Sequence, residues 1–134
     1  MSHAADDDIE AFFDRVARFG YEPRLERTSG TMRFEIFDDQ RADQETDHWL
    51  VTFSRGHLDA SRGQHPADTV IRIDRATFRD LITGRANMVE NWLRNRVQAF
   101  GAPTLLFQFW LIPGLFPGPP DADHPRDFVR RARR

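Results

Sequence analysis

Histidine and carboxylate side chains are the usual metal ligands and acid–base groups, and in this sequence they lack the spacing that such chemistry needs. No two histidines stand four residues apart, as paired ligands on one face of a helix would. His57 and Asp59 could share a strand face, but exposed polar residues of a hairpin are the ordinary interpretation. We therefore expect no metal site. The five histidines are His3, His48, His57, His65 and His124.

Catalytic motifs are also missing from the sequence. It contains no cysteine, which excludes disulfides, thiolate catalysis and cysteine-ligated metals. It contains no Gly-x-Ser-x-Gly turn, phosphate-cradling loop or dinucleotide fingerprint. The three aspartates at 6–8 are better explained as negative charge at a helix start than as a metal cluster. The sequence predicts a protein with no catalytic residue and no cofactor.

Length and composition indicate one globular domain. The 134 residues are 40% hydrophobic and 30% charged, close to the globular average, and suffice for a single core. The formal net charge of -2 gives no general attraction to nucleic acid. The start of the chain is acidic, and no apolar run reaches the roughly 18 residues of a membrane span. We expect a cytoplasmic protein without a nucleic-acid partner.

The stretch 118–134 is rich in Pro, Asp and Arg and has almost nothing to bury, which predicts a disordered tail after a domain at 1–117. Its arginines at 126–134 surround Phe128 and Val129. Such a segment could make transient contact with an anionic membrane surface. A solvated tail is the ordinary interpretation.

Helical periodicity predicts a helix at 7–19, with Gly20 as its stop. Asp74 is placed to cap a second helix. Asn87 and Glu90 resemble a capping box for a third helix, with an apolar face of Met88, Val89, Trp92 and Leu93. Pro103 suits the first turn of a last helix at 104–112, which is apolar nearly all round. One side of that helix must face a cavity, a partner chain or solvent.

Alternating apolar and polar residues predict strands with one buried face. The turn at Arg55 and Gly56 joins the second strand to the third. With the helices, this order predicts an α+β fold, an antiparallel-dominated five-stranded sheet with helices packed on one face and a core at 31–116. The predicted strands are 31–37, 48–54, 57–61, 67–73 and 95–100.

From the fourth strand onward the chain resembles the sterol carrier protein, or non-specific lipid-transfer, family. The resemblance rests on Ala67-Asp68 opening a strand, a capped helix ending in Leu81-Ile82-Thr83-Gly84, a second helix from Ala86-Asn87, a strand closing at Phe100-Gly101, and Leu105-Leu106-Phe107 in an apolar helix. The order and spacing are more specific than any single motif. The resemblance covers about 31–116.

One position departs from that family, which commonly has a second glycine near the start of the last strand. Here Asn95 stands instead. Asparagine adopts the left-handed conformation more readily than other non-glycine residues, so the turn is expected to be retained.

The resemblance implies an apolar cavity between sheet and helices that takes up a fatty acid, acyl thioester or sterol, with the final helix as wall or lid. For each wall candidate, ordinary core is the more common interpretation, because both have the same apolar spacing. The family does not say which side chain touches the ligand. The candidates are Ile71, Ile73, Phe78, Ile82, Trp92, Phe100, Leu105, Leu106, Phe109 and Trp110.

Two other functions remain open from the sequence. The same fold with a filled core could be an interaction or accessory protein whose apolar last helix docks on another chain. A relative of domains fused to enzymes would be a regulatory binding module. A contiguous apolar void of several hundred Å³ would favour the ligand carrier over the docking protein. The sequence leaves monomer and homodimer as alternatives.

Overall fold

The helices and strands follow the predicted order along the chain. The computed structural model describes residues 3–38 and 46–116, and for 3–7 the backbone alone. The predicted tail 118–134, with its arginines, lies outside the described residues. The elements are α1 His3–Ala17, a 3-10 helix Pro23–Leu25, β1 Ser29–Phe37, β2 Thr46–Ser54, β3 His57–Arg62, β4 Thr69–Asp74, α2 Arg75–Ile82, α3 Met88–Leu93, β5 Val97–Phe100 and α4 Thr104–Trp110.

The five strands form one sheet in the order β3-β2-β1-β4-β5. β1 and β4 run parallel, and the other three pairings are antiparallel. Phe34 of β1 lies opposite Trp49 on one side and Ile71 on the other, so these apolar side chains share the inner face of the sheet. The helices pack on that face, which confirms the predicted α+β fold with a mostly antiparallel sheet.

The two helix caps predicted at Asp74 and Asn87 form in the structure. The Asp74 carboxylate accepts a hydrogen bond from the Thr77 amide at 3.0 Å, and the Asn87 amide oxygen accepts one from the Glu90 amide at 3.1 Å. These side chains satisfy amides that a first helical turn leaves unpaired. α1 differs from the prediction, because it begins four residues earlier and ends at Ala17.

Aromatic rings fill the space between the sheet and the helices. The ring of Phe13 in α1 is nearly parallel to Trp49, at 4.6 Å between centroids, and to Phe78, at 5.6 Å. Phe34 and Phe109 pack around this stack, 5.7 Å apart. All of these side chains are buried. The interior is therefore an aromatic core among the described residues.

The prediction of which α3 residues form its buried apolar face is partly wrong. Met88 is buried as expected, but Asn91 is buried beside it, while Val89 is 42% and Leu93 72% exposed. The Asn91 side-chain amide donates to the Asn87 carbonyl at 2.8 Å. This bond lowers the cost of burying the amide and lets α3 turn Asn91 inward, which leaves Val89 and Leu93 outside.

Candidate functional site

The ten predicted wall residues occupy three different environments. Trp92, Leu105 and Trp110 are half-buried and pack against the core, while Phe100 is 54% exposed. The buried members lie within the packed interior, so ligand contact by them stays a prediction. The buried members are Ile71, Ile73, Phe78, Ile82, Leu106 and Phe109.

Phe100 does not face the space between sheet and helices. It pairs with Val70, whereas Ala99 pairs with the inner-face residue Ile71. Successive strand residues point to opposite faces, so Phe100 lies on the outer face of the sheet. Its placement is at odds with its prediction as a wall residue, because the alternation of β5 brings Val97 and Ala99 inward instead.

α4 exposes apolar side chains on more than one side. Leu106 and Phe109 point into the core, and both are fully buried. Leu111, just after the helix, is 67% exposed. Phe107 packs edge-on against Trp92 of α3, with centroids 5.2 Å apart. The sheet therefore covers only one side of this helix, as its sequence predicts.

Two hollows lie along the side of α4 that faces the segment 22–29. The larger has a volume of about 430 Å³ and is bordered by the start of β1, by Thr69 and by Leu105. The smaller, of about 160 Å³, lies between Leu25, Leu111 and Ile112. Gln108 borders both hollows. We call these two hollows, with Leu25, Thr28, Leu105, Gln108, Leu111 and Ile112, the α4 groove.

A hydrogen bond crosses the α4 groove at its middle. The Thr28 hydroxyl donates to the Gln108 side-chain oxygen at 3.2 Å. This contact fixes the segment before β1 against α4 and divides the groove into a more polar part and a more apolar part. The division separates a hollow lined mainly by polar residues from one that contains Leu25, Leu111 and Ile112.

The polar end of the groove is organised by Asp68. Its carboxylate accepts hydrogen bonds from the Thr31 amide at 3.0 Å and the Thr31 hydroxyl at 3.3 Å. A Cβ atom at Gly30 would stand 3.1 Å from that carboxylate and 3.2 Å from Leu105. Gly30 therefore allows β1, Asp68 and α4 to approach closely, and its φ of 142° is open chiefly to glycine.

Most of the groove was missed from the sequence. Of its six residues only Leu105 is among the ten predicted, because Leu25 and Thr28 come from a segment with no clear period. The useful signal was Gln108, the one amide inside the apolar helix α4. Nothing local to the sequence shows that this amide meets Thr28, eighty residues earlier.

No group of three or more His, Asp or Glu side chains within 3–38 and 46–116 could hold a metal ion. In the same part of the chain, no helix has the length and apolar character to cross a membrane.

Comparison with solved structures identifies the same fold in other proteins. Sterol Carrier Protein-2 from Aedes aegypti in complex with palmitate superposes with a TM-score of 0.60 at 14% identity, over 87% of this chain and 100% of that one. A conserved hypothetical protein of Thermus thermophilus, described as possibly a sterol carrier protein, gives 0.56 at 20% identity, over 75% and 77%.

The fold also occurs as part of a larger enzyme. A stereoselective inverting sec-alkylsulfatase from Pseudomonas sp. matches with a TM-score of 0.57 at 18% identity, over 85% of this chain but 16% of the enzyme. No curated protein sequence matches the chain. The family model for SCP-2 sterol transfer matches residues 9–106, from within α1 through the whole sheet to the first turn of α4. The predicted resemblance is thereby confirmed, and the chain belongs to the SCP-2 sterol transfer family.

Proposed function

We propose that this protein binds and carries a lipid-like ligand, such as a fatty acid, acyl thioester or sterol, without catalysing a reaction on it. The observation that carries the proposal is the α4 groove, where Leu25, Leu111 and Ile112 lie beside a hollow of about 160 Å³ that adjoins a larger one. Membership of the family and the palmitate in the Aedes aegypti structure support the same ligand class.

The groove is a better location for the ligand than the centre of the fold. Phe13 and Phe78 fill the space between sheet and helices, where the cavity was expected. A hydrocarbon chain laid along the α4 groove would instead cover Leu105 and Leu111. The larger hollow, of about 430 Å³, lies within the range of about 300–1,000 Å³ that ligand pockets show, whereas the smaller one, of about 160 Å³, lies below that range.

The affinity that such a site can reach follows from its apolar character. Each methylene removed from water contributes about 0.8 kcal/mol. Micromolar binding corresponds to about 8 kcal/mol, so burial of about ten methylenes would be sufficient. Binding of this kind depends little on hydrogen bonds, and we expect the protein to accept several chain lengths.

The test is uptake of a fluorescent fatty acid, cis-parinaric acid, followed by energy transfer from the tryptophans. We expect saturable uptake by the wild-type protein and at least about tenfold weaker binding for Leu111→Asp, which places a charge in the apolar hollow. Phe100→Asp is the matched control, because it places the same charge at an exposed phenylalanine on the opposite face of the sheet.

Native mass spectrometry of gently purified protein, followed by organic extraction, would identify a ligand that co-purifies. A lipid at near-stoichiometric occupancy would support the carrier function. Protein that is empty and also takes up no cis-parinaric acid would exclude it.

A second candidate function is favoured by the filled interior. A core packed with aromatic rings needs no ligand, and the exposed Leu111 could then dock on another chain. The sec-alkylsulfatase shows this fold as part of a longer enzyme. Under this alternative the protein is empty, and its self-association or its binding to an enzyme subunit is abolished by Leu111→Asp in size-exclusion chromatography.

A further inference from the structure

α3 and the neighbouring side of α4 present apolar side chains to solvent. Val89 and Leu93 stand four residues apart, which places them on the same side of α3, and they are 42% and 72% exposed. Trp92 lies beside them, half-buried, and packs edge-on against the half-buried Phe107 of α4, with ring centroids 5.2 Å apart. We call Val89, Trp92, Leu93 and Phe107 the α3 ridge.

The α3 ridge is separate from the α4 groove. Each residue of a helix is turned by about 100° from the one before it. Phe107 follows Leu105 by two residues, so the two side chains leave α4 in nearly opposite directions. Leu105 and Gln108 border the groove, whereas Phe107 meets Trp92. The proposed lipid ligand therefore leaves the α3 ridge uncovered.

Two opposite charges flank the ridge on the side away from Trp92. Glu90 and Arg94 each stand one position after an apolar member of the ridge, Val89 or Leu93. They form an exposed ion pair at 3.1 Å, with side chains that are 57% and 64% exposed. An exposed pair of this kind contributes little to the fold, so both charges remain available to another molecule.

The other charged side chains near α3 lie around a hollow on its Asn91 side. Arg85, Arg96 and Asp80 border this hollow. Asn91 leaves α3 on the side opposite Leu93, because two residues of separation turn the helix by about 200°. These charges therefore lie away from the centre of the ridge.

Two turns and two buried side chains hold α3 in this orientation. Gly84 precedes the helix with φ of 81°, and Asn95 follows it with φ of 62°. Met88 and Asn91 are buried on the inner side. The ridge and its flanking charges are thus fixed on the surface without any movement of the chain.

We propose that the α3 ridge is the contact between two copies of this chain, related by a two-fold axis with their α3 helices antiparallel. In an antiparallel pair, each flank of one helix meets the same flank of the other. Glu90 of one copy then lies opposite Arg94 of the second copy, and the reverse contact follows from the symmetry. A parallel pair would place Glu90 opposite Glu90 and Arg94 opposite Arg94. The charge pattern is therefore complementary to itself in one arrangement.

The composition of the ridge also fits such a contact. Interfaces between proteins have an apolar, aromatic-rich centre and a polar rim, and here Leu93 and Trp92 stand at the centre with Glu90 and Arg94 at the rim. The ridge is smaller than the roughly 20–30 residues that a stable interface uses on each side. A reversible dimer is expected, with a dissociation constant on the order of 100 µM.

The first test is sedimentation equilibrium of the full chain over a range of concentrations. Leu93→Asp should weaken the dimer at least about tenfold, because it buries an unpaired charge, whereas Leu93→Met should retain it. Phe100→Asp is the matched control, since it places the same charge at an exposed ring on the outer face of the sheet. The melting temperature of Leu93→Asp should be unchanged, because the side chain is exposed.

Uptake of cis-parinaric acid separates this proposal from the proposed function. Leu93 does not border the α4 groove, so Leu93→Asp should bind the fatty acid as the wild-type protein does. The dimer is measured without ligand, and its presence or absence does not depend on lipid binding.

The second test uses the charges to identify the second copy as the partner. Glu90→Arg leaves two cations on the flank, and Arg94→Glu leaves two anions. Each variant alone should associate with itself at least about fivefold more weakly than the wild-type protein, because like charges then face one another. A mixture of the two variants should form a heterodimer about as strong as the wild-type dimer, since opposite charges face one another again.

Three outcomes would overturn the proposal. The first is a wild-type protein that stays monomeric up to about 1 mM, ten times the expected dissociation constant. The second is equal association by Leu93→Asp. The third is a mixture of Glu90→Arg with Arg94→Glu that associates no better than either variant alone, which would show that the two α3 helices do not face one another.

Discussion

The ring of Phe13 in α1 stacks on the indole of Trp49 in β2, with centroids 4.6 Å apart and planes 8° from parallel. The ring of Phe78 in α2 is also nearly parallel to that of Phe13, with centroids 5.6 Å apart. One phenylalanine thus joins the sheet to both helices at the place where a ligand cavity was expected.

Phe13→Ala removes the central ring of the stack. We expect a loss of about 3–5 kcal/mol in the free energy of unfolding, from lost burial and the cavity left behind, measured by urea denaturation. Because the cavity is apolar, cis-parinaric acid should also bind more tightly than to the wild-type protein. Phe100→Ala, at an exposed ring, is the control and should change stability by less than about 1 kcal/mol.

If Phe13→Ala does not fold, the milder variant Phe13→Leu tests the same ring stack. It retains an apolar side chain and should lose about half as much stability. Unchanged stability in both variants would contradict the view that Phe13 joins the sheet to the helices.

The elements were predictable because their apolar periods are local properties of the sequence. The caps at Asp74 and Asn87 needed only a side chain and an amide three residues away. The orientation of α3 was not predictable in this way. It depends on the hydrogen bond that the Asn91 side-chain amide donates to the Asn87 carbonyl. Hydrophobicity alone predicts that an asparagine faces solvent, so this inward orientation was not expected.

The candidate site was less accessible from the sequence than the fold. Phe100 was assigned to the inner face by its apolar character, although the register of β5 with β4 places Ala99 there. The α4 groove depends on the approach of the segment 22–29 to α4 through Thr28 and Gln108. Contacts over eighty residues leave no local period, so the resemblance gave the ligand class but not the groove.

Arg75 joins the start of α2 to Asp38, just after β1, and to Asp47, near the start of β2. Its side chain is 8% exposed and donates to Asp38 at 3.0 Å and to Asp47 at 2.8 Å. Burial alone would lower the pKa of Arg75, but the hydrogen bonds to Asp47 and Asp38 outweigh it and raise the pKa. The guanidinium therefore remains charged and bound to both carboxylates.

Arg75→Ala is expected to lower the free energy of unfolding by about 2–4 kcal/mol, because two carboxylates lose a buried partner. Thermal and urea denaturation measure the loss. Arg62→Ala is the matched control, since Arg62 approaches the same Asp47 at 3.9 Å but is 52% exposed. Arg62→Ala should lower the free energy of unfolding by less than about 1 kcal/mol. Equal losses in the two variants would contradict the role given to the burial of Arg75.

The pKa of Glu35, on the outer face of the sheet, makes the stability of the fold depend on pH. Burial alone would raise the pKa of Glu35, but hydrogen bonds from Arg33 at 2.8 Å and Arg72 at 2.9 Å outweigh it and lower the pKa. A carboxylate with a lowered pKa stabilises the fold above its ordinary pKa of about 4.3. That stabilisation is lost as the pH falls through the lower value.

Glu35→Gln should therefore be less stable than the wild-type protein at pH 7, by about 1–2 kcal/mol. The difference should shrink below about pH 4, where the wild-type carboxylate gains its proton. Urea denaturation of both proteins between about pH 3 and pH 7 measures the difference in stability and its decrease at low pH. Glu90→Gln, in an exposed pair, should lie close to the wild-type curve, and a constant gap for Glu35→Gln at all pH values would contradict the linkage.

Asn95 and Gly101 bracket β5 with positive φ angles of 62° and 102°. Asparagine adopts this conformation more readily than other non-glycine residues, so the turn is retained although Asn95 stands where the family commonly has a glycine. Asn95→Ala should lose about 1–2 kcal/mol in the free energy of unfolding, and Asn95→Gly should not be destabilised. Gly101→Ala should lose more than Asn95→Ala, because its Cβ would stand 2.6 Å from the Asp68 carbonyl oxygen, which belongs to the backbone and cannot rotate away. Urea denaturation of the three variants gives the order, and a Gly101→Ala protein as stable as the wild type would show that β4 and β5 can separate at this end of the sheet.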